Sequence, residues 1–104
     1  MSVTVGSARL NENRKTTGGR PGDQTGREVG IQEWYMHTKA WIVLRAKTPA
    51  VREAIAYAMA AACNNNNIGY CQSHSHRTRA TLAAQPYGYD PAKITTDVET
   101  DCSE

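Results

Sequence analysis

The segment that most restricts the fold runs from Thr48 to Cys63. Thr48 suits a helix N-cap, Pro49 suits the first helical position, and Ala50–Ala62 consists mostly of strong helix formers. Val51, Ile55, Met59 and Cys63 recur at four-residue steps and form an apolar stripe, with Ala58 and Ala62 beside it. The run Asn64–Asn67 ends the helix, because Asn hydrogen-bonds its own backbone and tolerates the left-handed conformation. A chain of 104 residues around one such helix is a single domain at most. Phe is absent and much of the 39% apolar content is Ala, so the core has few large side chains to draw on. Those expected in it are Trp34, Tyr35, Trp41, Ile42, Val43, Leu44, Val51, Ile55, Met59, Ile68, Leu82 and Ile94, a set small enough to predict marginal stability.

Residues 1–27 are rich in Gly, Thr, Asn and Arg and read as a loop-rich segment after a short strand at Ser2–Val5. In Glu28–Tyr35, Val29 and Ile31 alternate with polar neighbours, as in a half-buried strand. Ala40–Arg45 is a denser apolar run and reads as a second strand, joined to the first across Met36–Lys39, a hairpin link without Gly. A shorter helix is expected over Arg77–Gln85, ending before Pro86, and residues 86–100 carry turn signals at Pro86, Gly88 and Asp90-Pro91. The expected class is α+β: a β-hairpin packed on one long and one short helix, with residues 28–104 forming the domain proper.

The net charge of +2 is split unevenly: residues 1–52 carry nine Lys/Arg against four Asp/Glu, and residues 53–104 carry three against six. Such a split can mark a basic surface facing an anionic polymer, but charge bias is more often only the solvation of two faces of one domain. The basic residues Arg9, Arg14, Lys15, Arg20 and Arg27 are not interleaved with aromatics, which speaks against nucleic acid as a partner. The first thirty residues lack the apolar core of a signal peptide and no stretch approaches a membrane span, so no membrane association is expected. Three cysteines at irregular spacing, Cys63, Cys71 and Cys102, do not make a disulfide framework and fit synthesis in a reducing compartment.

Asp101-Cys102-Ser103 is the most informative tripeptide. A cysteine nucleophile works as the thiolate, and an acidic or small polar residue before it with Ser after it suits the loop that leads into a helix. Glu99-Thr100-Asp101-Cys102-Ser103 resembles the lead-in to the catalytic helix of NlpC-type peptidoglycan hydrolases, whose domain is papain-like. The order Gly22-Asp23-Gln24-Thr25-Gly26-Arg27-Glu28-Val29, then Trp34-Tyr35 and Val43-Leu44-Arg45, resembles endolysin-like proteins from phages of Gram-positive bacteria. Ala62-Cys63, Ile68-Gly69-Tyr70, Gln72, Arg77 and Ile94-Thr95-Thr96 continue that ordered pattern, so the likeness runs from about Ser7 to Ser103.

The resemblance implies hydrolysis of amide bonds in the peptide part of peptidoglycan, with Cys102 attacking the carbonyl to form a thioester. It implies bacterial cell wall as the partner, a monomer, no cofactor, and a protein made in the cytoplasm that reaches the wall by lysis or through a pore. The family's histidine lies well downstream of the cysteine, and Glu104 stands where a small residue and an apolar helix usually follow, so the chain reads as an inactive front portion of such an enzyme. His37, His74 and His76 do not match the family's position. Read without the resemblance, Cys102 is a spare thiol on a frayed tail. Asp23 and Gln24, held between Gly22 and Gly26, are candidates for a substrate loop or for a tight turn. Trp34, Tyr35 and Trp41 are candidates for stacking on sugars, although aromatics on strands more often belong to the core. Cys63, Cys71, His74 and His76 do not have the spacing of a structural zinc site, so no metal is expected. Two other functions stay open: a non-catalytic cell-wall binding module, and a small phage-encoded interaction protein.

Overall fold

The computed structural model describes residues 3–104. Two strands, β1 (Thr4–Ala8) and β2 (Val29–Glu33), pair antiparallel with Thr4 opposite Glu33 and Ala8 opposite Val29. Helix α1 (Pro49–Cys63) follows, capped by the Thr48 side chain, which accepts from the Val51 amide at 3.4 Å. Strand β3 (Ile68–Tyr70) runs parallel to β4 (Val98–Thr100), in register Ile68–Val98 to Tyr70–Thr100. The crossover between them carries α2 (Arg79–Ala84) and two 3₁₀ turns, Gln85–Tyr87 and Pro91–Lys93. The class is α+β, as expected, and no helix among the described residues is long and apolar enough to cross a membrane.

The helix over 49–63 and the strand over 29–33 lie where the sequence places them. The hairpin does not. Ala40–Arg45 forms no strand, and β2 pairs instead with β1, which lies within the loop-rich segment at Thr4–Ala8; of the strand expected at Ser2–Val5, Ser2 lies outside the described residues. The link Met36–Lys39 has no Gly to form the mirror-image turn that matches strand twist. Ala40 takes a left-handed backbone, φ 63°, with its amide bonded to the His37 carbonyl, which turns the chain away from β2.

Packing corrects the expected core as well. The buried cluster is Val29, Cys63, Ile68, Ala80, Ala84, Ile94 and Val98. Only Ile68 and Ile94 of the expected set belong to it; Trp34, Tyr35, Trp41, Ile42, Val43, Leu44, Val51, Ile55, Met59 and Leu82 are all exposed. Helix α1 touches β1 and β2 through its last turns, where Gly6 allows the approach: a Cβ there would meet Met59 Cγ at 2.5 Å and Cys63 Sγ at 2.9 Å. The rest of the stripe, Val51 and Ile55, has no element laid over it.

The Asn run does more than stop the helix. Asn65 Nδ2 donates to the carbonyls of Pro91 and Ile94 at 2.8 and 3.0 Å, and Asn67 Nδ2 donates to Ile94 at 3.2 Å. The Asn66 and Asn67 carbonyls accept from Asp23 and Val98, both at 2.8 Å. Three of the four consecutive Asn residues therefore tie the end of α1 to the segments entering β2 and β4.

Candidate functional site

The parallel strands end side by side: β3 leads into Cys71 and β4 into Asp101 and Cys102, with the Cys71 amide bonded to the Thr100 carbonyl at 2.9 Å. In parallel sheets ligands gather beyond the carboxyl ends of the strands. Cys102 is the exposed thiol of the three cysteines, and its Sγ donates to the Ala8 carbonyl at 3.2 Å. Asp101 is buried and shapes the turn after it: Oδ1 accepts from the Ser103 hydroxyl at 2.6 Å and the Ser103 amide at 2.9 Å. Burial works to raise the Asp101 pKa, but Ser103, the Arg77 guanidinium 3.9 Å from Oδ2 and the Glu104 amide outweigh it and hold it below 3.8. The residue before the thiol is thus a fixed carboxylate engaged with its own turn.

Beside Cys102 opens an apolar groove of about 530 Å³, lined among others by Ile55, Met59, Ala80, Ala84 and Ile94. The exposed stripe of α1 forms one wall and α2 another. Cys63, at the foot of that stripe, is buried with Sγ 3.7 Å from Met59 Sδ, and burial pushes its thiol pKa up, offset by the Ser7 backbone and Arg9. It is an inert core thiol.

No histidine among the described residues shares a hydrogen bond with Cys102. His37 Nδ1 accepts from the Lys39 amide, and its ring lies edge-on to Trp41. His74 Nδ1 faces Arg77 at 3.1 Å, and His76 turns toward Cys71 and Glu99. The base that an acyl transfer needs is not supplied by these three in the geometry observed.

The other candidates are placed as follows. Asp23 closes the Gly22–Val29 turn: its carboxylate accepts from the amides of Thr25, Gly26, Glu28 and Val29 between 2.7 and 3.3 Å. Gln24 is exposed and donates from Nε2 to the Pro21 carbonyl at 2.8 Å. Trp34 and Tyr35 gather around Trp41, ring centroids 5.2 and 5.4 Å away, in an exposed aromatic cluster. That cluster follows the far end of β2. Ala8, which holds Cys102, pairs with Val29 at the near end, so roughly 17 Å of strand separates the two features.

Buried polar residues near the strand ends escaped the sequence reading. Glu28 is fully buried; Oε1 accepts from the Tyr70 amide at 3.0 Å and Oε2 from the Gln24 amide at 2.6 Å, which ties the Asp23 turn to β3. Desolvation raises its pKa despite these two bonds. Cys71, His76 and Glu99 come together with their ligand atoms within 4.8 Å of one another. A period-two pattern at Gly69-Cys71 and Glu99-Asp101 is the signal that one sheet face holds them, but three-residue strands are too short to read it from.

Fold and site together define a small α+β domain with an exposed cysteine at the mouth of an apolar groove. The family model of the endolysin-like domain matches residues 5–104, and the chain belongs to that family. No curated protein and no solved structure matches it.

Proposed function

We propose that this chain is the front portion of a phage-type cysteine peptidoglycan hydrolase, of the NlpC kind, with Cys102 as its nucleophile. The observation that carries the reading is the position of Cys102: exposed, at the end of a parallel strand, and at the mouth of an unfilled apolar groove. In this reading an apolar helix continuing from Ser103 lies in the groove against Ile55, Met59 and Ala84, completing a papain-like core and placing its N-terminus at the sulfur. Cys102 Sγ attacks the carbonyl carbon of a peptide amide in the wall. The C–N bond breaks, the amine leaves with a proton from a histidine beyond Glu104, and water hydrolyses the thioester. The protein acts as a monomer on peptidoglycan, after lysis or passage through a pore.

A second reading has one observation in its favour: the exposed Trp34–Tyr35–Trp41 cluster suits contact with wall sugars, as in a non-catalytic binding module. Wall clearing by the protein translated through the frame beyond Glu104 separates the two. The hydrolase reading predicts clearing that Cys102→Ala abolishes. Wall binding without release of muropeptides, unchanged by Cys102→Ala, supports the binding module.

A further inference from the structure

The cluster of Cys71, His76 and Glu99 lies outside the groove chemistry and has no role in it. Cys71 continues from β3, Glu99 is the central residue of β4, and His76 is brought back over them by the Ser73–Arg77 turn, in which the Ser73 carbonyl accepts from the amides of His76 and Arg77 at 2.9 Å. Cys71 and Glu99 are each 1% exposed. Both Glu99 carboxylate oxygens lack a hydrogen-bond partner, although a buried carboxylate needs several.

Two chemistries unite a thiol, an imidazole and a carboxylate. In a nucleophile–base–orienter relay the thiol and the carboxylate use different ring nitrogens, so that one fixes the tautomer that serves the other. Here both address the same atom: His76 Nδ1 lies 3.9 Å from Cys71 Sγ and 3.3 Å from Glu99 Oε1. A sulfur this buried is also closed to a wall polymer. The relay is therefore excluded by geometry, while convergence of three donor atoms on one point is what a cation requires. Zinc bonds of about 2.3 Å to sulfur and 2.0–2.1 Å to nitrogen or oxygen set tetrahedral edges of roughly 3.4–3.6 Å; the two edges at His76 Nδ1, 3.9 and 3.3 Å, are near these, and all three ligand atoms lie within 4.8 Å of one another.

We propose that Cys71 Sγ, His76 Nδ1 and Glu99 bind a zinc-class divalent ion, with a fourth position left to water on the half-exposed His76 side. Thiolate, imidazole and carboxylate are all zinc donors. The Ser73 amide, 3.4 Å from Cys71 Sγ, donates to the thiolate as an outer-shell partner. The ion clamps the ends of β3 and β4 and the turn before α2, directly upstream of Asp101-Cys102. The spacing rule that argues against zinc fails here because the third ligand comes from β4 and not from a second local motif. The assignment is independent of the hydrolase reading.

Cobalt(II) added to the reduced full chain tests it. The expected result is about one equivalent bound, with a thiolate-to-cobalt charge-transfer band that zinc displaces. Cys71→Ser removes the band, while Cys63→Ser and Cys102→Ser keep it. His76→Gln, altered at a half-exposed ring, retains the wild-type circular dichroism and weakens binding by about tenfold or more. No band in the folded protein, or a band lost with Cys102→Ser and kept with Cys71→Ser, overturns the assignment. Should Cys71→Ser fail to fold, His76→Gln decides, and unchanged affinity overturns it.

Discussion

Cys102 Sγ donates a hydrogen bond to the carbonyl oxygen of Ala8 at 3.2 Å, joining residues 94 positions apart. The contact seats the last described turn against the N-terminal strand, so β1 is part of the site's frame. The bond needs the thiol proton, since an ionised sulfur has nothing to donate. Nucleophilic attack by Cys102 therefore begins with loss of this contact.

The groove beside Cys102 makes a prediction about Ile55, which is 59% exposed. In residues 1–104, Ile55→Ala changes stability by no more than about 0.5 kcal/mol, as surface substitutions do. In a protein extended beyond Glu104 the same change costs about 2–4 kcal/mol, the range for a buried Ile. Urea unfolding of both pairs measures this, and equal effects in the two would mean that nothing docks in the groove.

Glu28→Gln replaces one of two carboxylate oxygens with an amide donor, so either the Tyr70 or the Gln24 amide loses its acceptor. The cost is about 1–3 kcal/mol at neutral pH by chemical denaturation. The wild type also carries a pH signature: because burial raises the Glu28 pKa, its contribution is fully present below 4.5 and lost as pH rises through the folded value. Glu28→Gln removes that component of the stability profile, and an unchanged profile would place the carboxylate in solvent.

Asp101 titrates in the opposite sense. Its lowered pKa means a contribution present above 3.8 and lost as pH falls through the folded value. The Ser103 amide, bonded to Oδ1, reports it: its NMR shift should move with a midpoint below 3.8. A midpoint at or above that value would show that Ser103 and Arg77 do not hold the carboxylate.

The helix over Pro49–Cys63 was legible because capping, propensity and the Asn stop all agree over many residues. The burial of its stripe was not, since four-residue periodicity shows which residues share a face and not whether anything covers it. Strand β2 is legible in the sequence but its partner is not: Ala40–Arg45 has the composition of a strand throughout, whereas β1 carries that signal only at its start, Thr4-Val5, before Gly6. Cys102 stood out through its neighbours Asp101 and Ser103. Glu28, Cys71 and Glu99 did not, because pairings between distant segments bury them and local pattern carries no trace of that.

The central claim is that Cys102 is the nucleophile of a wall hydrolase, and its most direct test is turbidity clearing of purified cell walls. The protein read through the frame beyond Glu104 should clear the suspension and release muropeptides, and Cys102→Ala should leave the walls intact. Clearing that persists in Cys102→Ala, or none from the wild-type extended protein, would contradict the account.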